Sequence, residues 1–379
     1  MFSDCVGKQT RRGIAKMIFR HTSSSTLVIL AVTAVATFSR CEPSWLQAQD
    51  LALRYAIDPA WPKLPQDWVM GGVGGTCVDT RDHVLILNRQ NVSEQDLKGR
   101  VLAPAVIEVD TDGNVVNSWG NPKTLVKRLH DCQFDDDNNV WIVGVDSGFI
   151  QKYSHDGSRL LAQLGKADLV DSTDGTVKGG PLNSDRAQFF TPSGIDIDST
   201  NGDIYIADGH SPGGNYRIAV FRRDGDFIRQ WQLNRTGPET NIQPSPHCIG
   251  LTRDELVYVC DRWAYRVQVF DKVGRFKRNI PISSKIAAPR DPQNTEGGSV
   301  ALDFSRDPDQ KLMYVINSDT GQIDIFDRHS GRVVSRFGEG PGSNAGQLTG
   351  AHGIAVDSKG NVYVAEQQGK RIQKFKLVN

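Results

Sequence analysis

The chain has no surplus of either charge, with 44 basic against 44 acidic side chains over 379 residues, and no block of like charge follows the first twenty residues. That balance argues against nucleic acid or an anionic surface as a partner and leaves a small molecule or a peptide end as the ligand class. Long apolar runs are scarce as well. The run that stands out, Thr26 to Phe38, follows Lys8, Arg11, Arg12, Lys16 and Arg20 and is short for a membrane span. A basic stretch ahead of a short apolar run predicts an export leader over residues 1–48 and an exported, periplasmic or extracellular protein with no stable membrane span after cleavage. Arg11-Arg12 stands too far from that run for a twin-arginine signal, and Cys41 follows Arg40 rather than a small residue, which argues against a lipoprotein. Cysteine is sparse: Cys77, Cys132, Cys248 and Cys260 lie beyond the leader, too few to form a dense disulfide framework.

What the chain has in quantity is glycine, 37 residues of it, many in Asp-Gly, Asn-Gly and Gly-Asn pairs that mark tight turns rather than long amphipathic helices. These turns punctuate a repeat of about 40 residues. Its unit is clearest at the end of the chain. Ala351 to Asp357 alternates as a strand, Ser358 to Asn361 is a turn, Val362 to Ala365 is a second strand and Arg371 to Phe375 a third. The same order runs from Gly74 to Gly120, His130 to Gly165, Ser193 to Leu233, His247 to Ile282 and Val300 to Gly338, and these earlier copies add a fourth strand. Four short strands cannot bury both their faces alone, so the six copies are expected to pack face to face as an all-β, six-bladed propeller over residues 49–379, read as a monomer. The last copy lacks a fourth strand, and the strand-like run Leu51 to Ile57 is expected to supply it and close the ring.

Aligning the copies on their second strands isolates one slot. His130, His247 and His352 each stand ten residues before the valine that opens that strand (Val140, Val257, Val362), while Gly74, Ser193 and Val300 fill the slot in the alternate copies. The first strand of a propeller blade lines the central channel, so three such positions about 120° apart converge on the axis. Three imidazoles with an open fourth position form a catalytic zinc arrangement. Any one of these histidines alone would be read as a strand-start residue bonded to backbone. Regular alternation among only eight histidines favours a metal.

Three segments are the most specific in the chain: Pro246-His247-Cys248-Ile249-Gly250-Leu251, Val257-Tyr258-Val259-Cys260-Asp261-Arg262 and His352-Gly353-Ile354-Ala355-Val356-Asp357. With them, nearly all of Val69 to Asn379 resembles the bacterial relatives of peptidyl-α-hydroxyglycine α-amidating lyase, within the wider NHL-repeat propellers. The resemblance implies Zn2+ on the three histidines, Arg89 as a clamp for the substrate carboxylate, and cleavage of a C–N bond to release an amide and glyoxylate. Two departures stand out. Where family members carry a tyrosine base directly after Asp-Gly in the third blade, this chain reads Asp208-Gly209-His210-Ser211-Pro212-Gly213-Gly214-Asn215-Tyr216. His210 and Tyr216 are therefore both candidates for the catalytic proton transfer. The family's acidic calcium ligand directly follows the last histidine, whereas this chain has Gly353 there, and Asp131 is the candidate to replace it in a structural Ca2+ site.

Cys248 and Cys260 fall nearly opposite one another across the turn at Thr252 to Glu255, and two buried thiols are expected there, a cross-strand disulfide being geometrically demanding. Three functions compete. The first is a zinc-dependent lyase acting on a small hydroxylated amide or peptide end. The second is a non-catalytic secreted propeller that binds a protein or glycan. The third, a calcium-dependent lactonase-type hydrolase, would want carboxylate and amide ligands in the channel, and the histidine set argues against it.

Overall fold

Runs of Val, Ile and Tyr broken by Asp-rich turns fold here as short antiparallel strands, four to a sheet. The computed structural model describes residues 53–235, 242–283 and 297–378, and the expected leader lies outside them. Blade one is built from Val73–Val78, Val84–Asn88, Val106–Val109 and Val115–Trp119, in that order from the axis outward. The innermost strands of blades two to six are Leu129–Phe134, Pro192–Ile197, Pro246–Leu251, Ser299–Phe304 and Ala351–Val356. Many turns are fastened in one way: an Asp Oδ1 accepts the backbone N–H groups two and four residues on, as at Asp79, Asp110, Asp135 and Asp357.

The ring closes as expected. Arg54–Ile57 pairs antiparallel with Arg371–Val378, from Arg54 opposite Val378 to Ile57 opposite Phe375, and becomes the outermost strand of blade six. Tyr55 on that strand stacks on Phe337 of blade five at 4.3 Å between ring centroids. Each interface between neighbouring blades has its own apolar cluster. In blade one, Leu85 and Leu87 face Val140 and Ile142 of blade two, while Val84 and Ile86 face Tyr363 and Ala365 of blade six. A strand buried on both faces has no solvent side on which to place a polar residue, which is why Val84–Asn88 is buried along its whole length. The shared cluster between the first and last blades excludes an open solenoid.

Every innermost strand carries a register shift at the repeat slot, skipping Gly74, His130, Ser193, His247 or His352, or the Val300-Ala301 pair in blade five. A bulge re-aims the side chain of its extra residue. In the even-numbered blades that residue is a histidine.

The cysteines correct the expectation of buried thiols. Cys248 and Cys260 form a disulfide, because the register sets them directly opposite with Cα atoms 5.0 Å apart. Cys77 and Cys132 form another, joining the innermost strands of blades one and two across a Cα separation of 5.8 Å. This second pair is 55 residues apart in sequence and meets only because the two blades are neighbours.

Candidate metal centre

The three bulged histidines meet on the axis. Ring centroids lie 4.8 Å apart for His130 and His247, 4.5 Å for His130 and His352, and 5.1 Å for His247 and His352. Each Nδ1 contacts a main-chain carbonyl of the next blade: His130 with Ser193 at 2.6 Å, His247 with Val300 at 2.7 Å and His352 with Gly74 at 2.7 Å. A carbonyl only accepts, so each Nδ1 carries the hydrogen and each Nε2 keeps its lone pair. The acceptors are the same slot residues of the odd-numbered blades. Bonds of this kind fix tautomer and ring orientation together, as the supporting shell of a histidine metal ligand would. Burial first, and the neighbouring imidazoles and guanidinium groups after it, hold the pKa of all three well below the ordinary histidine value, so the rings are neutral donors. His130 Nε2 is buried without a hydrogen-bond partner, as a nitrogen awaiting a metal would be.

His210 joins this group. One ring nitrogen from each of His130, His210, His247 and His352 lies within 4.8 Å of the others. The ring of His210 stands 5.0 Å from His130 and 4.9 Å from His247, and its Nδ1 is buried without a partner. Its backbone is pinned: the N–H groups of Gly209 and His210 both donate to Thr191 O, and Ser211 N–H donates to Thr191 Oγ1. Gly209 adopts φ +146°, and a Cβ there would come within 2.5 Å of Tyr216 N, so the turn that delivers His210 needs glycine. Tyr216, the other candidate base, is turned elsewhere, with its hydroxyl on Gly213 N–H and on the Gln243 amide.

Two arginines flank the cluster. Arg89 directly follows the second strand of blade one, donates through Nε to Leu129 O at 2.8 Å and brings a terminal nitrogen to 3.4 Å from His352 Nε2. Gly74 makes room for it, since a Cβ at that position would lie 2.7 Å from Arg89 Nε and 1.9 Å from Leu129 O. Arg262, to which the sequence analysis assigned no role, occupies the equivalent place in blade four, 3.3 Å from His247 Nε2. The signal that would have found it was available: Arg89 and Arg262 share one repeat position, each backbone N–H donating to the strand-entry carbonyl of its own blade, Gly72 or Ser245. Burial, and after it the charge of Arg128, push the Arg89 pKa down to about 10, still cationic at neutral pH. Two partly buried guanidinium groups set against the same histidine cluster form a site suited to an anion.

Below the histidines the channel opens into a cavity of about 550 Å³ lined by the innermost strands. Asp131, Asp196 and Asp303 stand on its walls, and each accepts a backbone N–H from the next blade, of Ile195, Leu251 and Val356. Burial pushes Asp131 up to about 8 and Asp196 up to about 7, and raises Asp303 too. Gly353 carries no acid because none fits: a Cβ there would lie 2.8 Å from the Cα of Gly75 in blade one.

Residues 348–375 match the NHL repeat model. The chain is 28% identical over 343 residues to NHL repeat-containing protein 3 of Homo sapiens, a match covering 86% of this chain and 85% of that protein. It is 24% identical over 351 residues to peptidyl-glycine alpha-amidating monooxygenase B of Xenopus laevis, covering 86% of this chain but 36% of that protein's length. Among solved structures, a streptogramin B lyase shares the fold with a TM-score of 0.52 and 14% identity, over 86% of this chain and 98% of that one. The chain is a six-bladed β-propeller that carries an NHL repeat and has a distant similarity to the amidating monooxygenases.

Proposed function

We propose that this propeller is an exported zinc-dependent lyase that cleaves the C–N bond of an α-hydroxyglycine-type amide or peptide end, releasing an amide and glyoxylate. The observation that carries the reading is the convergence of His130, His247 and His352, with every Nδ1 spent on a carbonyl and one ring nitrogen of each within 4.8 Å of the others. Nitrogen donors of this kind, neutral and oriented by carbonyls, suit zinc. Its contribution there is Lewis acidity toward the substrate hydroxyl. Arg89 and Arg262 hold the substrate carboxylate in their paired forks. His210 Nδ1 takes the hydroxyl proton, the C–O bond becomes the carbonyl of glyoxylate, and the C–N electron pair leaves on the amide nitrogen, which then takes up a proton. The two disulfides support an oxidising, extracytoplasmic location. A structural calcium would rest on Asp131, although both its oxygens already accept backbone N–H groups.

The test is metal analysis of the purified protein together with glyoxylate release from an N-acyl α-hydroxyglycine. Stoichiometric zinc and a release that chelation abolishes while the fold persists are expected. Full zinc loading with no release would turn the reading to a propeller that binds a protein or glycan and uses the metal only to staple its channel.

A further inference from the structure

We infer that His210 is a fourth metal ligand, closing the coordination sphere in the resting protein. The inference rests on the metal-centre reading above and adds to it what the fourth position holds. Three ligands from the even-numbered blades leave that position open, and an open position is what separates a catalytic zinc site from a structural one. Among the described residues His210 joins the cluster, and its Nδ1 is buried and has no hydrogen-bond partner. Tetrahedral zinc with bonds of about 2.0–2.1 Å holds its donors roughly 3.4 Å apart. The four donors here lie within 4.8 Å of one another, so a shift of the order of 1 Å completes the sphere.

The backbone of His210 is held on the side facing the axis by the paired bonds to Thr191 O. The ring itself turns about its own side-chain bonds, so it can swing toward the other three without moving the blade. His210 is thus a ligand that a substrate hydroxyl displaces. Displacement frees the nitrogen that serves as the base, so one residue guards the site when it is empty and takes the proton when it is filled.

X-ray absorption of the zinc-loaded protein counts the imidazoles directly, and chelator competition gives the affinity. The expected result is four imidazoles in the wild type and three with one oxygen in His210→Ala, with affinity lower by about tenfold or more. Adding an N-acyl α-hydroxyglycine takes the wild type from four to three and leaves the variant's count unchanged. His210→Asn, closer in size and checked by circular dichroism, separates ligand loss from misfolding and is expected to match the alanine variant. Three imidazoles and one oxygen in the wild type, with the same spectrum in both variants, would overturn the inference while leaving the metal centre standing. Absence of bound zinc in the wild type would instead remove the metal centre itself.

Discussion

Odd- and even-numbered blades have the same backbone at the channel and use it differently. Each innermost strand bulges at the same slot, but only blades two, four and six aim an imidazole from it. Blades one, three and five answer with the carbonyl of that slot, where the residues are Gly74, Ser193 and Val300. A sixfold backbone is thereby turned into a threefold site, and half of the machinery is invisible as side chains. The same division stitches the ring. Histidine bonds join blades two to three, four to five and six to one, Asp196 joins three to four and Asp303 joins five to six. The remaining junction, between blades one and two, is held by Arg89 on Leu129 and by the Cys77–Cys132 disulfide.

If the even blades donate and the odd blades only orient, substitutions should divide the same way. The largest effect is expected from alanine at His130, His247 or His352, each costing at least about 100-fold in zinc affinity by chelator competition. Gly74→Ala comes next, because it acts from an odd blade. Its Cβ has no room against Leu129 O and Arg89 Nε, so a loss of about 1–3 kcal/mol in chemical unfolding is expected. About tenfold weaker zinc binding should accompany it as the carbonyl under His352 shifts. A smaller effect is expected at the other end of the channel, where Lys272 of blade four pairs with Asp198 of blade three at 2.7 Å. Burial raises the Asp198 carboxyl, but the bond from Lys272 and those from Thr200 outweigh it and leave the pKa lowered. The folded value therefore lies below the unfolded one. The stabilisation is present above the unfolded pKa of about 4 and is lost as the pH falls through the folded value. Lys272→Met should cost about 1 kcal/mol near neutral pH, shrink toward zero in acid and leave zinc affinity unchanged. Smallest is Ser193→Ala. It keeps the carbonyl that His130 uses and removes only the hydroxyl, which bonds Pro246 O at 2.6 Å and reaches Ala207 O at 3.3 Å, so about 1 kcal/mol of stability should go with no change in metal content. A zinc loss in Ser193→Ala as large as in His130→Ala would break the division between donors and supports.

Much of this was legible because a repeat turns position into evidence. The phase of Val140, Val257 and Val362 located the histidines, and the missing fourth strand of the last copy located the closing strand. Arg89 came from the family resemblance, and the repeat phase applied to the residue after each second strand would have placed Arg262 three copies later. His210 and Tyr216 could not be separated by phase, because the loop that carries them is longer than its counterparts in blades two, four, five and six and has no repeat register of its own. Only the fold shows the histidine turned inward on Thr191 and the tyrosine turned out to Gln243. The cysteines failed for two reasons. Cys248 and Cys260 depended on a bulge that sets their register, and Cys77 and Cys132 on which blades are neighbours.

Sequence alone determined the number of blades, the closing strand and the identity of the axial histidines, since period, alternation and turn chemistry are local properties summed along the chain. Tertiary structure decided which nitrogen each histidine presents, the second arginine, the inward turn of His210 and both disulfides. These depend on carbonyls, bulges and neighbouring blades, and a linear pattern does not encode distances between separate repeats.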